Sequence, residues 1–453
     1  MAIRPQTATF TNSSVDVLNA IRNSASINYR NYVPVATPDA ESIREIGAVI
    51  MDEPQLQNEF INSIVARIGK VIITNKLYEN PWTMFKKGIV ELGEKIEDIF
   101  VEIAKPHTFD PERSEREIYK RELPDVRTAF YVMNYQKFYK QSISRAELKT
   151  AFLSWDGVTS LISKIITAMY TGANYDEFQT MKYLIGVRAL AGMIYPEEVP
   201  AATAANAKRI AAAFKAISND MEFMKPTYNL AGVKNLTLKD DQYLIINSKF
   251  DAVMDVEVLA SAFNMNKAEF MGHRVLVDGF GELDIARLNE LFGEETTYHQ
   301  FTSAELEALN SIPALIVDRD FFQIYDNLIE TGDKYNEEGL YWNYWLHRWA
   351  TFAVSPFANA ILFVPTTPEV SSVEVSPATA TVSAGGTLQL SVEVTTAGFA
   401  PKSVVYTSSD EDVATVDNRG VVTVLSDATG TATITATSSF DSTVSDTCVV
   451  TVG

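Results

Sequence analysis

Four histidines, one cysteine and a few paired carboxylates are the side chains through which this chain could do acid–base, nucleophilic or metal chemistry. His107 follows Pro106, His273 follows Gly272, His299 lies in a polar stretch and His347 stands among aromatics, so no two have the spacing of zinc ligands. Cys448 has no histidine near it in sequence to act as a base, and as a lone thiol it reads as core filler. A nucleophile elbow, G-x-S-x-G, does not occur. Asp318-Arg319-Asp320 would put two carboxylates on one face of a strand, the beginning of a cation site, although an exposed strand end explains them more simply. Gly279-Phe280-Gly281 lacks the third glycine of a dinucleotide turn, and the stretch from Gly88 to Lys95 carries Glu94 where a phosphate loop needs lysine. The sequence therefore nominates no catalytic, cofactor-binding or metal-ligating residue. No cofactor and no enzymatic activity are expected.

The chain has 453 residues, enough for two or three domains, with 46% hydrophobic and 21% charged residues, which is ordinary globular usage. A net charge of −20 disfavours a phosphate-backbone reader, since nucleic acid is held by clustered Lys and Arg. One cysteine excludes an internal disulfide framework. The N-terminus runs straight into polar residues, so export is not expected. No window reaches the roughly 18 apolar residues of a membrane span, and no membrane partner is expected.

The clearest boundary is Val364-Pro365-Thr366-Thr367-Pro368-Glu369, read as a linker over 365–370. Beyond it come about seven short alternating segments, 372–375, 387–394, 404–407, 413–416, 421–424, 431–437 and 447–452, separated by turn signals such as Asp417-Asn418-Arg419-Gly420. Leu388, Leu390, Val392 and Val394 alternate with Gln389, Ser391 and Glu393, giving one buried and one wet face. The pattern predicts a β-sandwich. Val373-Glu374-Val375-Ser376-Pro377, Val413-Ala414-Thr415-Val416-Asp417 with Gly420, and Gly430-Thr431-Ala432-Thr433-Ile434 resemble the bacterial immunoglobulin-like domain, group 2, over 371–453. Tyr406 stands where that family usually has a core tryptophan. From Thr367 onward the tail has ten acidic and two basic residues, suiting surface display.

The body starts with a polar arm at 7–14 and an amphipathic stretch at 15–22. A helix is predicted over 56–68, with Phe60, Ile61, Ile64, Val65 and Ile68 on one face. Next, 96–103 and 126–143 read as a long two-stranded ribbon around a charged tip. Such a ribbon is marginal in water, and with Phe130, Tyr131, Tyr135, Phe138 and Tyr139 it needs a further surface, here expected from a neighbouring subunit. The spacing of Leu161, Ile162, Ile165, Ile166 and Met169 predicts a helix, and Asn174 three before Glu177 could cap a second one, making a two-part spine. An Ala-rich helix at 201–216 and strands at 242–247, 274–278 and 314–317 complete an α+β body with a mixed sheet. It ends in an aromatic strand holding three of the five tryptophans, with aromatics on both faces.

Ordered segments along this body resemble the major capsid protein of phi 29-like short-tailed phages, which has the Hong Kong 97 type capsid fold. They are Asn19-Ala20-Ile21-Arg22-Asn23-Ser24, Phe85-Lys86-Lys87-Gly88, Lys149-Thr150-Ala151-Phe152-Leu153-Ser154-Trp155, Ala262-Phe263-Asn264-Met265-Asn266, Tyr325-Asp326-Asn327-Leu328 and Gly339-Leu340-Tyr341-Trp342-Asn343-Tyr344. The resemblance implies a capsid core at 1–364. Its parts would be an N-terminal arm at about 1–50, an extended loop at about 94–141, a peripheral domain at about 51–93, 142–200 and 340–364, and an axial domain at about 201–339. The stretch 281–311 is longer than the family's segment there, and reads either as a surface helix pair or as a lengthened axial loop. Also implied are self-assembly as homo-pentamers and homo-hexamers into an icosahedral or prolate head, a scaffolding protein and a portal as assembly partners, only non-specific contact with packaged DNA, and assembly in the host bacterial cytoplasm. Some capsids of this fold join Lys to Asn beside a buried acid; the sequence names no such trio, so no cross-link is expected. The alternative reading is a bacterial surface adhesin or another protein using the immunoglobulin-like module as an accessory. A polysaccharide hydrolase would need a carboxylate pair that cannot be nominated.

Overall fold

The computed structural model describes residues 14–71, 78–104, 106–108, 124, 126–152, 157–256 and 273–453. In chain order the helices are α1 (Ser14–Ser24), α2 (Ile27–Tyr32), α3 (Ala40–Asp52), α4 (Pro54–Val71), α5 (Arg145–Ala151), α6 (Gly157–Leu190), α7 (Ala207–Asp220), α8 (Ser248–Met254), α9 (Ile285–Phe292) and α10 (Ser303–Asn310). The strands of the body are β1 (Lys86–Ile89), β2 (Ile96–Val101), β3 (Val126–Tyr131), β4 (Tyr135–Ser144), β5 (Tyr195–Glu198), β6 (Gln242–Asn247), β7 (His273–Val277), β8 (Ala314–Asp318), β9 (Phe322–Asn336), β10 (Tyr341–Val354) and β11 (Ala360–Val364). Two compact units form: Met1–Glu94, Val132–Phe178 and Ile324–Phe352 make the first, and Lys95–Tyr131, Gln179–Gln323 and Ala353–Gly453 the second.

Local chemistry starts the helices of the first unit. Ser26 Oγ accepts the Tyr29 N–H ahead of α2, Asp39 caps α3 through Glu41 N–H, and Pro54 opens α4 where a missing N–H is harmless. On α1, Asn19 accepts from Ala36 N at 2.8 Å and donates to Ala36 O at 2.9 Å, while Arg22 Nε donates to Val33 O at 2.8 Å. Apolar faces carrying Ile21, Tyr29, Ile46 and Phe60 then close on Phe152 and Trp342. The stretch from Val15 onward is thus packed into its own chain; of the polar arm predicted at 7–14, only Ser14 lies among the described residues. The sheet of this unit has the order β1-β9-β10-β4, with β1 parallel to β9 and β4 antiparallel to β10, Tyr341 opposite Ser144 and Ala350 opposite Tyr135.

That pairing corrects the expected ribbon. Only β2 and β3 form one, Ile96 opposite Tyr131 and Val101 opposite Val126. The predicted second strand is interrupted at 132–134, and β4 joins β10 instead, because the aromatic strand offers an open edge of ten pairing positions. Tyr135 is buried and Tyr139 half-buried within this chain, so these aromatics need no neighbour to cover them. The spine is corrected too. α6 runs unbroken for 34 residues, about 51 Å at 1.5 Å per residue, and Asn174 does not cap it; its Nδ2 donates to Tyr78 O at 2.9 Å.

In the second unit a mixed sheet, β5-β11-β8-β6-β7, pairs β5 with β11 and β6 with β7 in parallel and the rest antiparallel. α7 lays Ile210, Phe214 and Ile217 against it, with the Phe214 and Phe363 rings 4.4 Å apart. The 281–311 stretch is a helix pair. Asp284 caps α9, and a Thr302/Glu305 capping box starts α10. Tyr183 of α6 stacks on Phe292 at 6.0 Å and on Tyr298 at 5.5 Å, which seats the pair on the helix.

After β11 the chain builds nine short strands: β12 (Glu369–Ser376), β13 (Thr379–Val382), β14 (Thr387–Gln389), β15 (Ser391–Ala397), β16 (Val404–Ser408), β17 (Ala414–Val416), β18 (Val421–Val424), β19 (Thr431–Ser438) and β20 (Ser445–Val452). Sequence periodicity missed β13, which runs parallel to β20, and ran β14 into β15; buried Leu390 marks the break, where one chain leaves β18 to pair with β12. Tyr406, in place of the family's tryptophan, lies over Gly420. That glycine has φ +78°, and a Cβ there would stand 2.8 Å from the tyrosine hydroxyl.

Candidate assembly surface and charged lock

The β2–β3 ribbon has two chemically different faces. On one, Phe100 stacks on Phe357 with ring centroids 5.8 Å apart, and Asp98 Oδ2 accepts from Tyr131 Oη at 2.8 Å and from Ser355 Oγ at 2.6 Å. Arg127 donates to Ala231 O at 2.5 Å. The other face carries Ile99, Val101, Val126 and Phe130, all about half exposed or more, Phe130 at 58%. Strand alternation forces this division, since Ile99 and Val101 point opposite to Asp98 and Phe100. Burying such side chains fully is worth about 1.5 to 3 kcal/mol each, so the open face is a ready association surface.

In the first unit the α6 helix is joined to the sheet by charge. Glu177, 5% exposed, accepts from Asn80 Nδ2 at 2.7 Å, Lys86 Nζ at 3.0 Å and Arg348 Nη2 at 2.7 Å. Lys86 also reaches Asp326 at 2.7 Å, and Arg348 lies 3.7 Å from the same carboxylate. Two cations thus meet two anions. Burial by itself would raise the Glu177 pKa, but Lys86, Arg348 and the Asn80 hydrogen bond together hold it below the ordinary value. Beside it Asp176 accepts from Tyr139 Oη at 2.7 Å, and burial pushes that phenol far up. In the second unit Lys182, its side chain fully enclosed, donates to Asp278 at 2.9 Å and to Glu282 O; burial lowers its pKa against the pull of Asp278.

None of these charged residues was singled out for this role from sequence. A signal existed: Asp176, Glu177 and Lys182 interrupt an apolar helical run, and Arg348 sits in an aromatic strand, positions where an ion needs a partner. Two segments that carry the family resemblance meet here, through Lys86 and Asp326. A third, at 262–266, and the end of a fourth, at 153–155, lie outside the described residues, as do the 111–120 loop charges.

The chemical candidates do not converge. His273 bonds Asp240 O at 3.0 Å and stacks on Tyr243, His299 pairs with Glu305 at 3.1 Å, and His347 faces Phe138. His107 is an exposed loop residue. Cys448 is buried opposite Ile434 in the sandwich, where burial pushes its thiol up. The Asp318 reading changes: instead of an exposed strand end, its carboxylate is buried, accepts from Thr237 Oγ1 at 2.6 Å and from Asp320 N at 2.8 Å, and has a raised pKa through burial. Asp320 lies past the strand in the turn. Gly281 is a packing glycine, since a Cβ there would meet the Leu306 carbonyl of α10. Among the described residues no group of three His, Cys, Asp or Glu side chains is placed to hold a metal ion, and no helix is long and apolar enough to cross a membrane.

This combination of helices, mixed sheet, long hairpin and ribbon is a phage capsid fold: it is similar to the capsid structure of Staphylococcus phage Andhra, with TM-score 0.51 and 16% identity over 65% of this chain and 86% of that one. The chain belongs to the family described as Phi29-like phage major capsid protein, which matches residues 18–364, and residues 369–450 match the bacterial Ig-like domain, group 2. It is similar to the major capsid protein of Bacillus phage PZA, 35% identical over 430 residues, and to that of Bacillus phage B103, 36% identical over 432 residues, in both cases covering 94% of this chain and 90% of the relative. Its role is that of a structural subunit that self-assembles into a phage virion shell.

Proposed function

We propose that five and six copies of the chain form the pentamers and hexamers of an icosahedral or prolate head enclosing double-stranded DNA, with no catalytic step of its own. The observation that supports this most is the open apolar face of the ribbon, Ile99, Val101, Val126 and Phe130, on a hairpin whose other face is already seated on its own chain. A second copy is its occupant. Assembly takes place in the host bacterial cytoplasm with a scaffolding protein and the portal, and contact with the packaged DNA is only non-specific, since a net charge of −20 repels its phosphates. The parts implied by resemblance, arm, extended loop, peripheral and axial domains, are the working division of residues 1–364. The subunits carry no covalent cross-link.

Electron microscopy of the protein produced alone and with a scaffolding protein tests the reading. Shells are expected, and a chain that stays monomeric under every assembly condition sinks it. Replacing Ile99 and Phe130 together by Ser should leave thermal unfolding of the free chain unchanged while abolishing shells. A ladder of covalent oligomers on a denaturing gel after maturation would contradict the absence of cross-links. For the sandwich, deleting 371–453 separates contacts between capsomers, lost with the shells, from weak repeated binding to a host or glycan surface, lost with intact shells.

A further inference from the structure

We propose that the immunoglobulin-like sandwich is docked on its own chain in one orientation and is not a module swinging on a linker. Relative motion is the default for neighbouring domains, so fixed seating requires contacts beyond the covalent connection. The connection itself is short. β11 ends at fully buried Val364 and β12 begins at Glu369, leaving four residues between them, and Thr367 Oγ1 donates to Glu198 Oε1 of β5 at 3.1 Å.

Two contact pads lie off that connection. The first is Gly192, in the turn that closes α6, where Gly192 N–H donates to Ala189 O at 3.0 Å and Met193 N–H to Arg188 O at 2.8 Å. Gly192 has φ +65°, and a Cβ built there would stand 2.5 Å from Ala400 O and 3.0 Å from both Lys402 N and Pro401 Cα. The sandwich loop 398–402 therefore rests on the helix-end turn, backbone against backbone, and only glycine leaves room for it. The second pad is Tyr195 of β5, whose ring lies 6.1 Å from that of Phe440 in the turn after β19. Ser439 N–H donates to Ser403 O at 3.0 Å, which ties the loop of the first pad to the turn of the second. Both pads thus belong to one edge of the sandwich.

A body attached at one point can rotate about it, whereas three points, Thr367, Gly192 and Tyr195, remove that freedom. Whatever the opposite end of the sandwich meets, it meets in an orientation set by the end of α6 and by β5.

Amide hydrogen exchange on the unassembled full-length chain tests the seam without requiring shells, so its outcome is independent of the assembly reading. Phe440→Ala, a change in the sandwich, should speed exchange at 191–195 about tenfold, the factor that about 1.4 kcal/mol carries. Tyr195→Ala, a change in the body, should do the same at 398–402 and 439–441. Amides of the β19–β20 ladder and of β8 should keep their rates, which reports that both parts stay folded. Gly192→Val should open both sides together. The proposal is overturned if each of the two aromatic variants loosens only its own side, or if wild-type residues 191–195 and 398–402 exchange as fast as open turns.

Discussion

The first unit and the sandwich solve the same problem, joining layers of secondary structure, with opposite chemistry. In the unit, α6 meets the sheet through Glu177, Lys86, Asp326 and Arg348, and Asn80, Asp176, Asn327 and Asn343 are further buried polar side chains of the same unit. In the sandwich, the core is Val, Ile, Leu, Ala and Cys448, and among the described residues Ser438 is its buried polar side chain. Buried ions demand fixed partners in fixed places, so a charged lock has one fitting arrangement and a high cost for any other. An apolar core is more tolerant of shape but fails gradually as atoms are removed. The lock should break sharply and respond to acid; the apolar core of the sandwich should lose stability in proportion to the volume removed, by the same amount at any pH.

The sharpest break is expected at Glu177. Glu177→Ala leaves Lys86 and Arg348 facing each other with one carboxylate between them, and removing one partner of a buried pair costs about 3 to 5 kcal/mol. Denaturant unfolding measures it. The sign of the acid response follows from the lowered Glu177 pKa: its contribution is complete above the pKa of the unfolded carboxylate and is lost as pH falls through the lower folded value. Wild-type protein should therefore lose stability on acidification, and Glu177→Gln, already less stable at neutral pH, should show a shallower acid limb. An unchanged acid limb would mean that Glu177 is not the group concerned.

The counterpart in the sandwich is Ile434→Ala. Ile434 is fully buried on β19, and the substitution removes apolar volume without exposing a charge, at about 2 to 4 kcal/mol. Its effect should be the same at acid and neutral pH. A pH-dependent loss would end the contrast between the two regions.

How much of this was legible beforehand divides along the same line. The sandwich was read nearly strand by strand, because a wet face and a dry face alternate along each strand and the period is visible in Leu388 to Val394. Three strands of the mixed sheet, β6, β7 and β8, were legible from apolar runs such as 243–246 and 314–317, whereas β5 was not foreseen and β11 was read as the end of the aromatic strand and not as part of this sheet. What stayed hidden depends on pairs distant in sequence. Lys86 and Asp326 are 240 residues apart, and nothing in the local composition of either says that they meet. The break at 132–134 was hidden for the same reason: whether β4 continues the ribbon or joins β10 is decided by an edge two hundred residues downstream. Asn174 and Glu177 have the spacing of a capping box, but tertiary partners at Tyr78, Lys86 and Arg348 claimed both side chains and the helix ran on.

The finest test of an apolar sandwich is a single atom. Cys448 is completely enclosed on β20 opposite Ile434, and burial raises its pKa, so it is a neutral thiol acting as a small hydrophobe. Cys448→Ser keeps nearly the same shape but places a hydroxyl among Val, Ile and Ala side chains, where an unsatisfied polar group costs about 1 to 3 kcal/mol. Cys448→Ala removes the sulfur without adding polarity and should cost less than the serine variant. Unfolding of the two variants side by side measures the difference, and the native thiol should resist modification by a thiol reagent until the sandwich opens. If serine were tolerated as well as alanine, this core would hold a hydrogen-bonding partner at that point, and the chemistry that distinguishes it from the Glu177 lock would be one of degree.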